Sequence, residues 1–317
     1  KDGLSTGLSY PHSDFMLKTS PSWGEVPFFM SENPYKSRPW IIAKRSHLSF
    51  MRGNLLRPVE FSRNRTYEEY SVMIQKTIRR AGSVTIFPSL PKGLGMNLTR
   101  DFLDQLICGF ARQCEKYMTL TGEAPFAFRE RQLHSFLAPA LSQFSDLLLM
   151  ETPVNRKWSD LNKKQADSHG WLDYWCLWRN IVLLIELKHS FCSLRSGIAN
   201  QNLQSDWKKA IEQLDSIKDE ALTQGKWCNA AVRIALHVIP VFESFTKASH
   251  KSTATTERLN QVTNQVVRSL NPAPNWSGLW VLHQNLVGPY EYGVRKEFYP
   301  AVLFAAHVYE ISSADVQ

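Results

Sequence analysis

The stretch from Gly170 to His189, GWLDYWCLWRNIVLLIELKH, reads as two strands joined by a tight turn. Trp171–Trp178 is rich in aromatic residues and Ile181–Ile185 is an unbroken aliphatic run, a composition that suits a buried hairpin. Glu186 and Lys188 break that pattern. A charge at the end of an apolar strand is costly to bury unless something nearby needs it. If Arg179-Asn180 is a two-residue turn, Trp178 pairs with Ile181, and counting back sets Asp173 across from Glu186. Directly opposed residues have Cβ atoms about 4.5–5.5 Å apart, so the two carboxylates would be neighbours. Side chains alternate along a strand, which puts Asp173, Glu186 and Lys188 on one face. Arg-Asn is not a strong type I′ pair, and an odd-length loop would shift this register.

Two carboxylates this close repel each other unless a proton or a cation lies between them. Mg²⁺ suits them, because it takes oxygen ligands and is often held by one or two carboxylates together with substrate phosphates. Lys188 would then position or help deprotonate a water, or stabilise negative charge developing at phosphorus. A plain ion pair of Lys188 with Glu186 or Asp173 at the sheet edge satisfies the same spacing. Glu130 adds a third carboxylate. In a helix expected over Phe128–Phe144 it shares the apolar stripe of Leu133, Leu137, Leu141 and Phe144. It would face the sheet, or merely complement the N-terminal dipole of that helix. Pro139 should kink or split the helix.

Working outward, helices are expected over Tyr67–Arg80 and from Thr99, as N-cap, to about Met118, with a strand at Ser83–Phe87 between them. Thr119–Pro125 marks a domain boundary, between a basic, aromatic-rich accessory region (1–120) and a catalytic domain (121–317). In the second part the expected order is helix Phe128–Phe144, strand Leu147–Val154, a polar loop over Asn155–His169, strands 171–178 and 181–189, helix Gln204–Leu222 and strand Val232–Phe242. Helix Glu257–Leu270 and strands near Trp276–His283 and Pro300–Glu310 follow. The central α-β-β-β-α-β order predicts an α/β fold, a mixed central sheet with helices on its faces.

Glu130 on a helix, Asp173 on a strand opened by a glycine, and Glu186-Leu187-Lys188 on the next strand, in that element order, resemble the PD-(D/E)XK restriction-endonuclease-like superfamily. The likeness covers roughly residues 125–245, and "IELKHSF" after the aliphatic run is its strongest part. Leu172, rather than Pro, precedes Asp173. The resemblance implies a restriction-endonuclease-like core and a Mg²⁺- or Mn²⁺-dependent nuclease that hydrolyses phosphodiester bonds, usually of DNA. It implies Asp173, Glu186 and the backbone carbonyl of Leu187 as metal ligands, Glu130 as an outer or second-metal ligand, and Lys188 as the catalytic lysine. Gln213 borders the buried stripe of the helix after the motif, where some branches of the family place a Gln facing the site. Lys208 and Lys209 on that helix would meet a phosphate or be ordinary solvated lysines. Bacterial or phage restriction or defence is the natural setting, and a homodimer would supply the two sites that double-strand cutting generally needs. The alternatives are a non-catalytic nucleic-acid-binding or scaffold protein that keeps the fold, and a transposase or resolvase subunit.

With 317 residues, 43% hydrophobic and 21% charged, the chain can bury a sizeable core and is not disordered as a whole. It has no apolar run long enough for a transmembrane helix, and Lys1–Pro11 lacks the apolar core of a signal peptide. Five cysteines with no CxxC pair argue against a zinc site and a disulfide framework, and free thiols fit a reducing cytoplasm. The net charge of +8 is uneven: residues 1–120 hold 17 Lys/Arg against 10 Asp/Glu, and residues 121–317 hold 20 against 19. Within 36–65 eight basic residues, Arg38, Lys44, Arg45 and Arg52 among them, face Glu60 alone. That segment suggests a nucleic-acid partner, although acidic membranes and proteins attract the same patch. Trp40 and Phe50, interleaved with these charges, would stack on bases or pack in a core.

Overall fold

The aliphatic run that ends at Glu186 is covered on both sides. In the computed structural model, which describes residues 73–156, 168–197, 199–218, 228–245, 252–292 and 295–311, the strand β5 (Ile181–His189) is buried from Ile181 to Leu187. Ile181, Leu183, Ile185 and Leu187 pack into one apolar cluster, and Val182 and Leu184 into a second on the opposite face. A strand buried on both faces reads as a continuous hydrophobic run, and β5 does.

In chain order the other strands are β1 (Ile74–Ile78), β2 (Gly82–Pro88), β3 (Leu147–Arg156), β4 (Ser168–Trp178), β6 (Cys192–Ser193), β7 (Ala230–Phe245), β8 (Trp276–Leu282), β9 (Tyr290–Tyr292) and β10 (Arg295–Glu310). They form one sheet in the order β1-β2-β8-β10-β7-β5-β4-β3, with β6 also paired to β7 and β9 to β10. Only β5 and β6 run parallel to β7; the other pairings are antiparallel. The result is an α/β fold with a mixed, largely antiparallel sheet flanked by helices. α1 (Leu94–Thr121) and α2 (Glu130–Ser142) cover one face, through Phe102, Leu106, Phe110, Leu133 and Leu137. α3 (Gln201–Asp215) and α4 (Thr256–Ser269) cover the other, through Leu203, Trp207, Leu214, Leu259 and Val266.

The expected α-β-β-β-α-β succession is present as α2, β3, β4, β5, α3, β7, with the two-residue β6 inserted between β5 and α3. Four local expectations change. The helix drawn over Tyr67–Arg80 is replaced at Ile74–Ile78 by edge strand β1, whose Ile74, Lys76 and Ile78 turn inward while Gln75 and Thr77 are exposed. Pairing with β2 outweighs the helical propensity of so short a segment. α1 begins at Leu94 after Gly93, so Thr99 is no cap, and its hydroxyl donates to the Gly95 carbonyl. α2 runs through Pro139 without splitting. α3 ends at Asp215, short of the expected Leu222.

The described residues all lie within 65–317. β1, β2 and α1, expected in an accessory region ending at 120, belong to this sheet and its core. No helix among the described residues is long and apolar enough to cross a membrane.

Candidate active site

The hairpin turn places the charged residues. Arg179 and Asn180 both adopt left-handed backbone, with φ of 48° and 62°, as a two-residue type I′ turn requires. β4 and β5 pair from Trp178↔Ile181 to Tyr174↔Ile185, the register counted from the sequence. Asp173 comes next, opposite Glu186, and there the ladder stops. Its carboxylate takes over a backbone role, and Oδ2 accepts a hydrogen bond from Leu187 N–H at 2.7 Å.

On its other edge β4 pairs with β3 at Met150↔Tyr174 and Thr152↔Leu172, and Glu151 between them has a left-handed φ of 48°. Leu172 packs into the cluster under α3 and α4, whereas Tyr174 packs under α1 and α2, although alternation would put both on one face. The strand therefore re-aims its side chains at Asp173.

Glu186 is 2% exposed. Its Oε1 lies 3.5 Å from Lys188 Nζ, and its Oε2, which is buried and has no hydrogen-bond partner, lies 3.6 Å from Arg156 Nη2. Burial, reinforced by the charge of Asp173, pushes the Glu186 carboxyl up to about 7; Lys188 and Arg156 oppose the shift. Lys188 Nζ also donates to the Leu187 carbonyl at 2.8 Å and lies 3.7 Å from Glu130 Oε1. Glu130, the first residue of α2, does face the sheet, and partial burial raises its pKa against the pull of Lys188. Three of the expected residues, Glu130, Glu186 and Leu187, thus meet around the Lys188 ammonium, with Asp173 held to the Leu187 N–H.

α3 supplies the opposite wall. Arg156, Lys188, Lys209, Glu212, Gln213 and Ser216 line an open cleft of about 460 Å³. Lys209 belongs to it, and Gln213 contributes a buried Oε1 without a partner. Lys208 does not belong: it is 72% exposed and pairs with Glu212 one turn on, as a solvated surface lysine does. Burial lowers the pKa of His189 to about 4, and its Nε2 is 3.0 Å from the Phe126 carbonyl oxygen; it is a packed, neutral side chain. Arg38, Lys44, Arg45 and Arg52 lie outside the described residues.

Arg156 is the site residue that sequence reasoning missed, because Asn155–His169 was drawn as a loop. Gly170, inside a strand, was the available signal, since a strand glycine often marks a close approach. It does not say which side chain approaches.

Among the described residues no three His, Cys, Asp or Glu side chains gather as a ready-made metal cluster. Compared with known proteins, the chain matches no family model, no curated protein and no solved structure.

The titration of Glu186 has a measurable consequence. A carboxyl whose native pKa exceeds its unfolded value stabilises the fold fully below the unfolded pKa, near 4.5, and that contribution is lost as pH rises through about 7. In chelator, Glu186→Gln should remove this loss. The variant should be more stable than wild type at pH 8 by on the order of 2–3 kcal/mol and nearly equal at pH 5. Urea unfolding at pH 5, 6.5 and 8 measures the difference, and parallel pH profiles would contradict it.

Proposed function

We propose that this chain is a hydrolase of phosphodiester bonds, built on a restriction-endonuclease-like core. More particularly, it acts as a metal-dependent nuclease, with DNA as the expected substrate. The observation that carries this is the Lys188 ammonium, within 3.7 Å of Glu130 Oε1, 3.5 Å of Glu186 Oε1 and 2.8 Å of the Leu187 carbonyl. The succession of α2, β3, β4, β5, α3 and β7, with β5 parallel to β7, supports the same core.

The residues present fit a hard divalent cation. Glu186 Oε2 is a buried carboxylate oxygen with no hydrogen bond, and Asp173 and the Leu187 carbonyl are further oxygen donors at the same strand end. Asp173, Glu186 and the Leu187 carbonyl would hold Mg²⁺ or Mn²⁺, with Glu130 as an outer ligand; two carboxylates are enough when substrate phosphates complete the shell. Bound there, such an ion supplies Lewis-acid stabilisation of the charge that develops on phosphoryl oxygens. Lys188 carries a proton at Nζ beside the open cleft, where it can orient a water or stabilise an anionic phosphorus centre. Lys209, on the opposite wall, offers a second cation to the phosphate backbone.

A non-catalytic scaffold that keeps the fold is the second reading, favoured by the lack of a three-side-chain metal cluster among the described residues. Loss of Lys188 separates the two. Lys188→Ala should lower cleavage of duplex or single-stranded DNA in Mg²⁺ by at least about 10²–10³, the usual cost of removing one preorganised electrostatic group. Substrate binding should survive, and EDTA should abolish wild-type cleavage. Undiminished cleavage by the variant would remove Lys188 from the mechanism.

Substrate grip is expected from the basic segment 36–65. Each lost phosphate contact should reduce the slope of log affinity against log salt by about 0.7–0.9. Neutralising Arg38, Lys44, Arg45 and Arg52 together should weaken binding and flatten that slope while leaving metal affinity unchanged. A salt titration giving the wild-type slope would assign the segment to another role.

A further inference from the structure

We propose that Arg156 is a positioning residue for Glu186: laid across Gly170, its guanidinium sets the carboxylate so that Oε1 faces Lys188. The consequence for catalysis rests on the nuclease reading above; the geometry does not.

Arg156 is the last residue of β3, paired with Ser168 on one side and bridged to Ile217 just beyond α3 on the other. Its stem passes over Gly170, where an added Cβ would stand 2.1 Å from Nε and 2.5 Å from Cδ. No side chain fits beneath the arginine as it lies. The guanidinium is held at three points: Nη1 donates to the Gln213 carbonyl at 2.5 Å and to Ser216 Oγ at 3.2 Å, and Nη2 donates to the Trp171 carbonyl at 2.6 Å. These acceptors come from β4 and from the C-terminal end of α3, so the fork is tied to both before it meets Glu186. Nη2 then lies 3.6 Å from Glu186 Oε2, while Oε1 lies 3.5 Å from Lys188 Nζ. Two cations, one on each oxygen, turn the carboxylate. Arginine suits the task because its planar fork presents several donors in fixed directions, whereas a lysine ammonium cannot span the same acceptors.

The test uses the full chain and the variants R156Q, R156K, G170A, E186Q and the doubles G170A/R156Q and E186Q/R156Q. In Mg²⁺, R156Q, R156K and G170A should each lower kcat on DNA at least tenfold with KM within about twofold, since small misplacements of a reacting group cost this much. G170A/R156Q should be no slower than R156Q, because both act through one contact. In chelator at pH 8, thermal unfolding gives a readout independent of activity: the loss of Tm caused by R156Q should be smaller by about 3 °C in the E186Q background. Wild-type kcat in R156Q or G170A, restoration by R156K, or the same Tm loss from R156Q in the wild-type and E186Q backgrounds would each overturn the proposal. Wild-type protein that cleaves no DNA would sink the nuclease reading, and the Tm cycle would still decide whether Arg156 positions Glu186.

Discussion

One carboxylate, Glu186, sits at the end of a strand buried on both faces, and the surroundings of the site are arranged around that fact. Removing a carboxylate from water costs several kcal/mol even after the protein relaxes, unless charge and hydrogen bonds replace the solvent. Here the replacement is incomplete. Lys188 and Arg156 stand at 3.5 and 3.6 Å, one oxygen has no hydrogen bond, and Asp173 adds like charge. A core built for stability alone would place an aliphatic residue there. Active sites are where such costs are tolerated, because the strained group is the one the chemistry uses.

The fold meets this cost with several elements at once. β5 ends where α2 begins on one side and where the cleft lined by α3 opens on the other, so Glu130 and Lys209 approach Lys188 at the strand end from separate elements. The break in β4 at Asp173 has a structural use. It frees a carboxylate from the strand's alternation and lets it accept the N–H of Leu187, the residue whose carbonyl accepts from Lys188. Sheet and site therefore share hydrogen bonds, and neither can be altered without the other.

Much of this was legible in the sequence for an identifiable reason. The two-residue turn at Arg179-Asn180 fixes a register that sets Asp173 across from Glu186, and the period of 2 puts Glu186 and Lys188 on one face; that β4 breaks its alternation at Asp173 was not legible. Glu130 followed from the helical period in the same way. What escaped depends on long-range packing. Arg156 is close in space to Gln213, 57 residues away in sequence, and no local pattern encodes that approach. The strand at Ile74–Ile78 is set by its neighbours in the sheet rather than by its own propensity. Lys208 and Lys209 are adjacent in sequence, yet only the second lines the cleft, because helix rotation separates them.

The central claim is that the Asp173–Glu186 pair, beside the Leu187 carbonyl, forms a site for a hard divalent cation. The most direct measurement is a crystal of the full chain soaked in Mn²⁺, with diffraction data collected at the manganese absorption edge. The account predicts an anomalous peak within coordination distance of both carboxylates, about 2.0–2.3 Å for a small divalent ion on oxygen ligands. A well-ordered site that shows no such peak at millimolar Mn²⁺, with the Lys188 ammonium still seated among Glu130, Glu186 and the Leu187 carbonyl, would contradict it.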